Sequence, residues 1–229
     1  MPEDIDSNTV GRGNRAAFFD VDGTITSTTI AHYYVAFRLR NANPVYRAAW
    51  LAAYAPKGLQ FFALDKIDRS RFVRKFYRQY EGVNMAEFMR WHKRYFREFT
   101  LSRIRRGALE AIKRHREAGD RVILVSGGVE ERIAPLAQHL GADDFLATKL
   151  VQRDGHYTGE IEGAPLVDEE KAVRVRDYAG REGIDLSLSW AYGDSRSDTP
   201  FLELVGNPVA VGTELASIAR ERHWRIEEW

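Results

Sequence analysis

The chain shows two patterns of hydrophobic and polar residues, each in a different part of the sequence. Outside residues 31–106, short apolar runs of strand length recur and are separated by amphipathic stretches with helical spacing. The predicted strands are 16–20, 121–125, 145–151, 155–161, 186–192 and 208–212. The predicted helices are 107–118, 129–140, one that carries Lys171 with Asp168 as its N-cap, and 199–205. This alternation predicts an α/β fold, a mostly parallel sheet with helices on both faces.

The second pattern fills residues 31–106, where aromatic side chains recur at helical spacing. The clearest series are Phe72, Phe76 and Tyr80, and Phe88, Trp91, Tyr95 and Phe99. We expect Pro44, Pro56 and Gly58 to punctuate the helices and Gly82 to separate the two series. The segment is therefore predicted to be an all-helical insertion after the first strand.

Length and composition limit the class of protein. With 229 residues, 44% of them hydrophobic, the chain can bury one large domain or a domain with a sizeable insert. The longest weakly polar run of the aromatic region, residues 48–55, is far below the roughly 18 apolar residues that a membrane span needs. The N-terminal residues are polar where a secretory signal would be apolar, so a cytoplasmic location is expected. The chain has no cysteine, which excludes disulfides and thiolate chemistry.

Charge is distributed unevenly although the net charge is only +1. Residues 31–106 hold 17 Lys and Arg against 5 Asp and Glu, a net charge of +12, and also 17 of the 27 aromatic residues. Such a basic helical surface is usually just solvated, but it can also give a weak contact with an anionic surface. No nucleic acid partner is expected, and the oligomeric state is left open.

Candidate chemistry follows three of the predicted strands. Asp20 and Asp22 end the first strand, the sequence Ser-Gly-Gly at 126–128 follows the second, and GDSRSD at 193–198 follows the strand at 186–192. Because the carboxyl ends of parallel strands share one edge of the sheet, we expect these groups to converge, with Lys171 near enough to join them.

The residue types at this edge suit phosphoryl transfer. Clustered carboxylates require a cation, and oxygen ligands favour a hard ion such as Mg²⁺. The six histidines show neither H-x-H nor H-x-x-x-H spacing, so they are not predicted to bind a metal. Phosphoryl transfer needs an in-line nucleophile, a proton donor for the leaving oxygen and positive charge around the phosphate.

The motifs DVDGT at 20–24, SGG at 126–128, Lys171 and GDSRSD at 193–198, in this order, resemble the four motifs of the haloacid dehalogenase superfamily of phosphatases and phosphotransferases. The resemblance covers about residues 16–212, and it is strongest to the phosphoserine phosphatase-like branch, subfamily IB with a helical C1 cap. It implies a Rossmann-like catalytic core built from 1–26 and 107–229 and a cap domain at 27–106. Each motif alone has an ordinary structural explanation, but the four together do not.

The resemblance also implies roles for individual residues. Asp20 would be the nucleophile that forms an aspartyl phosphate, and Asp22 would protonate the leaving alcohol and later activate water. Asp20, the backbone carbonyl of Asp22 and Asp194 would bind Mg²⁺, while Asp198 would ligate through water or orient Lys171.

A second set of residues is implied for the phosphate group of the substrate. Ser126, the Gly127 amide, Lys171 and Thr24 would hold its oxygens, aided by the N-terminal end of the following helix. The predicted activity is Mg²⁺-dependent hydrolysis of a small phosphorylated metabolite. Cap opening is expected to admit the substrate and cap closure to exclude water.

Substrate and reaction class leave alternatives open. In phosphoserine phosphatase-like enzymes a cap glutamate receives the substrate ammonium group, but the corresponding position here is Thr29, and the first motif reads DGT where DST is common. We therefore expect an enzyme of this branch that is not a dedicated phosphoserine phosphatase. A sugar phosphate, a nucleotide and a lipid-like phosphate all fit the basic aromatic cap. A phosphotransferase, phosphoserine phosphatase proper, an anion-binding module and, last, a receiver domain are the alternatives.

Overall fold

The computed structural model of the chain describes residues 14–229. The expectation of an N-terminus without a secretory signal falls almost entirely on residues 1–13, outside this range. No helix of the described residues is long and apolar enough to cross a membrane.

Within residues 14–229, eight strands form two sheets. They are β1 Ala16–Asp20, β2 Arg121–Val129, β3 Asp144–Thr148, β4 Leu150–Arg153, β5 His156–Ile161, β6 Trp190–Gly193, β7 Asn207–Val211 and β8 Arg225–Glu227. Six of them make a sheet in the order β3-β2-β1-β6-β7-β8, with every neighbouring pair parallel, and β4 and β5 make a separate antiparallel hairpin. The chain order reverses beside β1, which lies between β2 and β6. Ligands of open parallel sheets bind at such a switch point.

Helices cover both faces of the six-stranded sheet, so the predicted fold class is confirmed. They are α1 Ile30–Arg38, α2 Pro44–Ile67, α3 Arg69–Tyr77, α4 Met85–Tyr95, α5 Arg106–Glu117, α6 Glu130–Leu140, α7 Asp168–Glu182, α8 Thr199–Leu202 and α9 Ala216–Glu221. Successive residues of a strand point to opposite faces. Ala17 and Phe19 of β1 accordingly pack under α5 and α6, while Ala16 and Phe18 pack under α7, α8 and α9.

The helices α1 to α4 and the short turns up to Arg103 form the predicted helical insert, called the cap below. Its interior is aromatic, with Tyr34, Phe37, Phe76 and Tyr80 all buried in one cluster. In the second aromatic series only Phe88 is fully buried, because His92 and Phe96 occupy the other inward positions.

The β4–β5 hairpin fastens the cap to the core. The backbone N–H of Gly82 donates to the carbonyl of Tyr157 at 2.9 Å, and that of Tyr157 donates to Val83 at 3.0 Å. The Met85 N–H donates to Gly155 at 3.0 Å. Tyr157 also lies in the aromatic cluster of the cap. One side of the cap is therefore tied to the core by main-chain hydrogen bonds as well as by packing.

The expected helix breaks at Pro56 and Gly58 are wrong, since α2 runs through both residues over its 24-residue length. Proline removes one helical hydrogen bond and leaves the carbonyl four residues earlier without its donor. Both Pro56 and Ala52, which carries that carbonyl, are exposed, so water can hydrate the freed group. The alanine-rich sequence around them has high helix propensity.

Other differences lie at element ends. The single strand expected over 145–151 is split at Lys149 between β3 of the main sheet and β4 of the hairpin. The strand expected over 186–192 is a turn of 3₁₀ helix followed by β6, and the helix expected over 199–205 is shortened to α8. Helix α7 begins at Asp168, so its N-cap is Val167, and the edge strand β8 was not predicted. Edge strands this short carry little sequence signal.

Candidate active site

The carboxyl ends of β1 and β6 place the acidic residues at the switch point of the sheet. Asp20 is the last residue of β1, opposite Val125 of β2 in the parallel register. Asp194 follows Gly193 at the end of β6, which pairs with β1 on its other side. The convergence expected from the strand pattern is thus present.

Lys171 bridges two of these carboxylates. Its position in the first turns of α7 carries Nζ to 2.6 Å from Oδ1 of Asp20 and 2.5 Å from Oδ1 of Asp198. All three residues are at most 6% exposed. Burial favours the neutral amine, but the two carboxylates outweigh it and raise the pKa of Lys171. Lys171 is therefore an ammonium ion held against both aspartates.

Asp198 is fully engaged by hydrogen bonds. Besides Lys171 on Oδ1, its Oδ2 accepts from the backbone N–H of Ser195 at 3.1 Å and from the Ser195 hydroxyl at 2.9 Å. Burial alone would raise the pKa of Asp198, but the ammonium of Lys171 lowers it overall. Of the two roles considered for Asp198, this arrangement favours orienting Lys171.

Asp194 is held at the site by a close approach of the DGT turn. The hydroxyl of Thr24, which is fully buried, donates to Oδ1 of Asp194 at 3.0 Å. In this structure the Thr24 hydroxyl therefore holds the Asp194 carboxylate. Gly23 has φ +98°, and a Cβ there would lie 2.1 Å from Oδ2 of Asp194. Both the backbone angle and the space require glycine at this position.

Asp20, Asp194 and Asp198 form a cation site by geometry. One oxygen of each lies within 4.8 Å of the others. Oδ2 of Asp20 is buried without a hydrogen-bond partner. Burial and the other carboxylates raise the pKa of Asp20, and they raise that of Asp194 to about 6. A hard divalent cation with oxygen ligands, such as Mg²⁺, would relieve this repulsion and fit the donors present.

Arg132 is a site residue that the sequence analysis missed. It lies in α6, is 4% exposed, and its Nη2 donates to Oδ1 of Asp22 in a close ion pair. Its guanidinium also lies 4.3 Å from the ring centroid of Tyr33 in the cap. Asp22 is therefore fixed by an arginine from the helix that follows the SGG motif. An arginine four residues beyond that motif was the available signal, but arginine is so common on helix surfaces that spacing alone did not distinguish it.

Ser126 and Gly127 lie at the same edge within the last residues of β2. The Ser126 hydroxyl is buried and accepts from the Gly128 N–H at 3.0 Å. The carbonyl of Gly127 accepts from the hydroxyl of Tyr77 in the cap at 3.0 Å, and a Cβ at Gly127 would lie 2.7 Å from Val167. This loop is thus packed between core and cap, and its part in binding phosphate stays a prediction.

A cavity of about 460 Å³ lies between the acidic cluster and the cap. Asp22 and Asp194 line one end, and Tyr54, Phe61 and Phe76 are among the aromatic residues of the other end. The substrate of any chemistry at Asp20 would therefore extend into a largely apolar space.

Charged cap residues also line this cavity, and they form ion pairs that involve its acidic residues Asp65 and Glu214. Arg69 Nη1 lies 3.2 Å from Asp65, and Lys66 Nζ lies 3.5 Å from Glu214. Asp65 first, and then the acidic cluster, raise the pKa of Arg69 against the effect of burial. Arg69 thus faces the catalytic end with its charge retained.

Thr29 lies on the cavity wall as the N-cap of α1. Its hydroxyl lies 3.1 Å from Nδ1 of His32, within the capping box of the helix. No carboxylate occupies this position to receive an ammonium group.

Comparisons with known proteins identify the family. The family model of haloacid dehalogenase-like hydrolases matches residues 17–203. Phosphoserine phosphatase SerB1 of Mycobacterium tuberculosis is 33% identical over 217 residues, which cover 93% of this chain and 70% of that protein. Histidinol-phosphatase of Neisseria meningitidis is 28% identical over 220 residues, 92% and 96% of the two chains. A crystal structure of a Bordetella pertussis protein of unknown function has a TM-score of 0.79 at 27% identity. The match covers 93% of this chain and 97% of that protein.

Proposed function

Because the chain belongs to the haloacid dehalogenase-like hydrolase family and is a phosphatase, we propose that it hydrolyses phosphomonoesters through an aspartyl phosphate on Asp20, with Mg²⁺ as cofactor. One observation carries the proposal. The carboxylate of Asp20 is buried, its Oδ1 is held by Lys171, and its Oδ2 has no partner. It ends β1 beside Asp194, which lines the cavity. That is the arrangement a nucleophile needs.

In the first step, Oδ2 of Asp20 attacks the phosphorus atom in line with the ester oxygen. The new bond joins Oδ2 to phosphorus while the bond from phosphorus to the ester oxygen breaks. Asp22, as the general acid, gives a proton to the leaving oxygen, so an alcohol departs. Lys171 balances negative charge on Asp20 and on the transferring group.

The second step restores the enzyme. A water molecule attacks the phosphorus of the aspartyl phosphate, Asp22 takes the proton of the water, and the bond to Asp20 breaks. Inorganic phosphate and the free carboxylate of Asp20 result, and the proton removed from water replaces the one given to the alcohol. Ser126 and the Gly127 amide are proposed to hold the phosphate oxygens through both steps.

Asp20, Asp194 and the backbone carbonyl of Asp22 are proposed to hold the metal ion, with Asp198 orienting Lys171. The ion would supply positive charge beside the transferring phosphate oxygens. The raised pKa of Asp194 and the carboxylate oxygens of Asp20, Asp194 and Asp198 that lie within 4.8 Å of one another support this assignment.

The proposed substrate is a small phosphorylated metabolite other than phosphoserine. Relatives carry the names of a phosphoserine phosphatase and of a histidinol-phosphatase, so substrates differ among them. In the cavity, Thr29 offers no carboxylate for an ammonium group, and Asp65 and Glu214 are paired with cations. Leaving an ammonium unpaired in such a site is costly. Phosphoserine hydrolysis far faster than that of other esters would contradict this choice.

The test measures phosphate release from a panel of phosphomonoesters with Mg²⁺ or EDTA. We expect release that requires Mg²⁺ and falls by at least about 10³-fold in Asp20→Asn, because the nucleophile is lost. Asp177→Asn is the matched control, since Asp177 is an exposed aspartate on the helix that carries Lys171. Retained activity in Asp20→Asn would refute the aspartyl phosphate. Adding acceptor alcohols would reveal phosphotransfer as new phosphoesters.

A further inference from the structure

Helix α2 is the longest helix of the cap, and none of its 24 residues is buried. Large apolar side chains on it face solvent: Val45 is 80% exposed, Leu59 70%, Phe62 66% and Ile67 83%. Monomeric proteins rarely leave a contiguous apolar surface of this kind without a partner. The exposure therefore needs an explanation.

The exposed apolar residues follow one side of α2. We call this side the outer stripe; it contains Val45, Ala52, Pro56, Leu59, Ala63 and Ile67, all exposed. Their separations of three, four and seven residues keep them on one face of a helix, over about 33 Å at 1.5 Å per residue. Trp50, Tyr54 and Phe61 occupy the opposite face, which packs against the aromatic interior of the cap. The stripe thus points away from the cap.

The net charge of the cap favours an anionic partner. Helix α2 carries Arg47, Lys57 and Lys66 against one acidic residue, Asp65; Lys66 is paired with Glu214 and Asp65 with Arg69. Residues 31–106 together have a net charge of +12. An apolar helix face on a basic domain suits the headgroup region of a bilayer that contains anionic lipids, and such a helix lies along the membrane surface.

The cavity lies between α2 and the aspartates at the sheet edge. Tyr54, Gly58 and Phe61 of α2 line it from above, while Asp22 lines its catalytic end. Phe62 lines the same cavity and is 66% exposed, so the cavity reaches the surface beside the outer stripe. An apolar group that leaves a bilayer at α2 would enter an aromatic space leading to Asp20.

We propose that α2 binds the surface of an anionic lipid bilayer through its outer stripe, and that the substrate is an amphiphilic phosphomonoester whose apolar tail occupies the cavity. The substrate half of this inference rests on the proposed function, since it requires phosphate to be removed at Asp20. The membrane half does not, because it depends only on α2.

The first experiment measures flotation of the protein with vesicles of phosphatidylcholine, alone or mixed with phosphatidylglycerol, using Asp20→Asn so that no turnover occurs. We expect at least about tenfold tighter binding to the mixed vesicles, weakened by salt. The double variant Leu59→Glu/Ile67→Glu should bind at least about tenfold more weakly than its parent. Leu109→Glu/Leu188→Glu is the matched control, the same two added charges at exposed leucines outside the cap, and it should leave binding unaltered. Thermal unfolding checks that each variant is folded.

The second experiment compares ethyl, butyl and octyl phosphate as dissolved monomers. We expect kcat/KM to rise by about tenfold for every two methylene groups that enter the cavity. Gly58→Leu narrows the cavity, since Gly58 lines it with no atom near its side-chain position and has no strained backbone angle. This variant should lower the ratio of octyl to ethyl efficiency by at least about tenfold. Gly180→Leu, at a helical glycine equally free of neighbours, should keep the ratio.

The outcomes separate the two claims. No phosphate release from any ester would refute the proposed function and leave the vesicle result standing. Release that is independent of chain length would overturn the amphiphilic substrate, and absent flotation would overturn the membrane surface. If light scattering shows a dimer that Leu59→Glu/Ile67→Glu dissociates, while vesicles bind neither form, a second copy covers the stripe and the inference is wrong.

Discussion

At the scale of single residues, Arg132 shows how the proposed proton donor is held in place. In the proposed mechanism Asp22 delivers a proton to the leaving oxygen, and the ion pair with Arg132 fixes where its carboxylate lies. Burial of Arg132 under the ring of Tyr33 restricts the guanidinium in turn. In the proposed mechanism Arg132 is therefore a positioning residue, whereas Asp22 transfers the proton.

We predict that Arg132→Gln lowers kcat for alkyl phosphates by about 10–100-fold, because a misplaced Asp22 protonates the leaving alcohol poorly. The loss should be much smaller for p-nitrophenyl phosphate, whose leaving group needs no proton. Steady-state kinetics on both esters measure the difference. Arg174→Gln, an exposed arginine of α7, is the control. Equal losses on both esters would point to a structural role instead.

Gly23 shows a second residue-scale constraint, imposed by the carboxylate of Asp194. A Cβ at this position would meet the Asp194 carboxylate at 2.1 Å, and its φ of +98° disfavours any other residue. We predict that Gly23→Ala destabilises the fold by about 1–3 kcal/mol and raises the Mg²⁺ concentration needed for half-maximal activity. Denaturant unfolding and metal titration measure these effects. Gly180→Ala, in a helix without close neighbours, should be neutral or stabilising by up to about 1 kcal/mol.

At the scale of elements, helix α2 tolerates a proline in its interior because both the proline and the freed carbonyl face water. The proline nevertheless removes one helical hydrogen bond. We predict that Pro56→Ala stabilises the protein by about 1–3 kcal/mol, measured by urea unfolding. Pro44→Ala is the control, because Pro44 is the first residue of the helix, where proline is favourable and no gain is expected. A loss of stability in Pro56→Ala would show that the proline is needed for packing.

The β4–β5 hairpin sets how the cap can move. Its three main-chain hydrogen bonds to residues 82–85 tie one side of the cap to the core. The turn of the hairpin has positive φ at Asp154 and Gly155, as a two-residue Asp-Gly turn requires. Any opening of the cap that keeps these bonds would pivot about the hairpin. Opening itself stays a prediction from the placement of the insert.

At the scale of the whole molecule, buried histidine links stability to pH. His92 is 1% exposed in the cap, and burial, followed by the charge of Arg132, lowers its pKa to about 4. The unfolded chain, with a histidine pKa of about 6.5, binds the proton first as pH falls. His92 therefore contributes its full stability above about pH 6.5, and this is lost as pH falls toward 4.

We predict that the free energy of unfolding decreases by up to about 3 kcal/mol from this residue between those pH values. In His92→Phe this part of the acid dependence should disappear, as seen by denaturant unfolding at several pH values. The control is His139→Gln, at an exposed histidine of α6, which should retain the wild-type dependence. An unchanged pH profile in His92→Phe would mean that another group causes the loss.

Element boundaries show where sequence reasoning stops at the intermediate scale. Period-two and helical patterns located the central strands and the helices that cover them, because those patterns report burial of one face. They failed at Pro56 and Lys149. At Pro56, the helix continues because the freed carbonyl is exposed to solvent. At Lys149, the strand divides because its two parts pair with strands of different sheets.

The sequence by itself determined the parallel sheet, the helical insert and the order of the four motifs, since each is a local pattern placed at a strand end. Only the tertiary structure decided that Arg132 pairs with Asp22, 110 residues away, and that the Thr24 hydroxyl donates a hydrogen bond to Asp194. The tertiary structure also decided the position of the aromatic cavity and the exposure of the outer stripe of α2. These features arise from distances between elements that are remote along the chain. Such distances are fixed by the packing of the whole core, which no single stretch of sequence encodes.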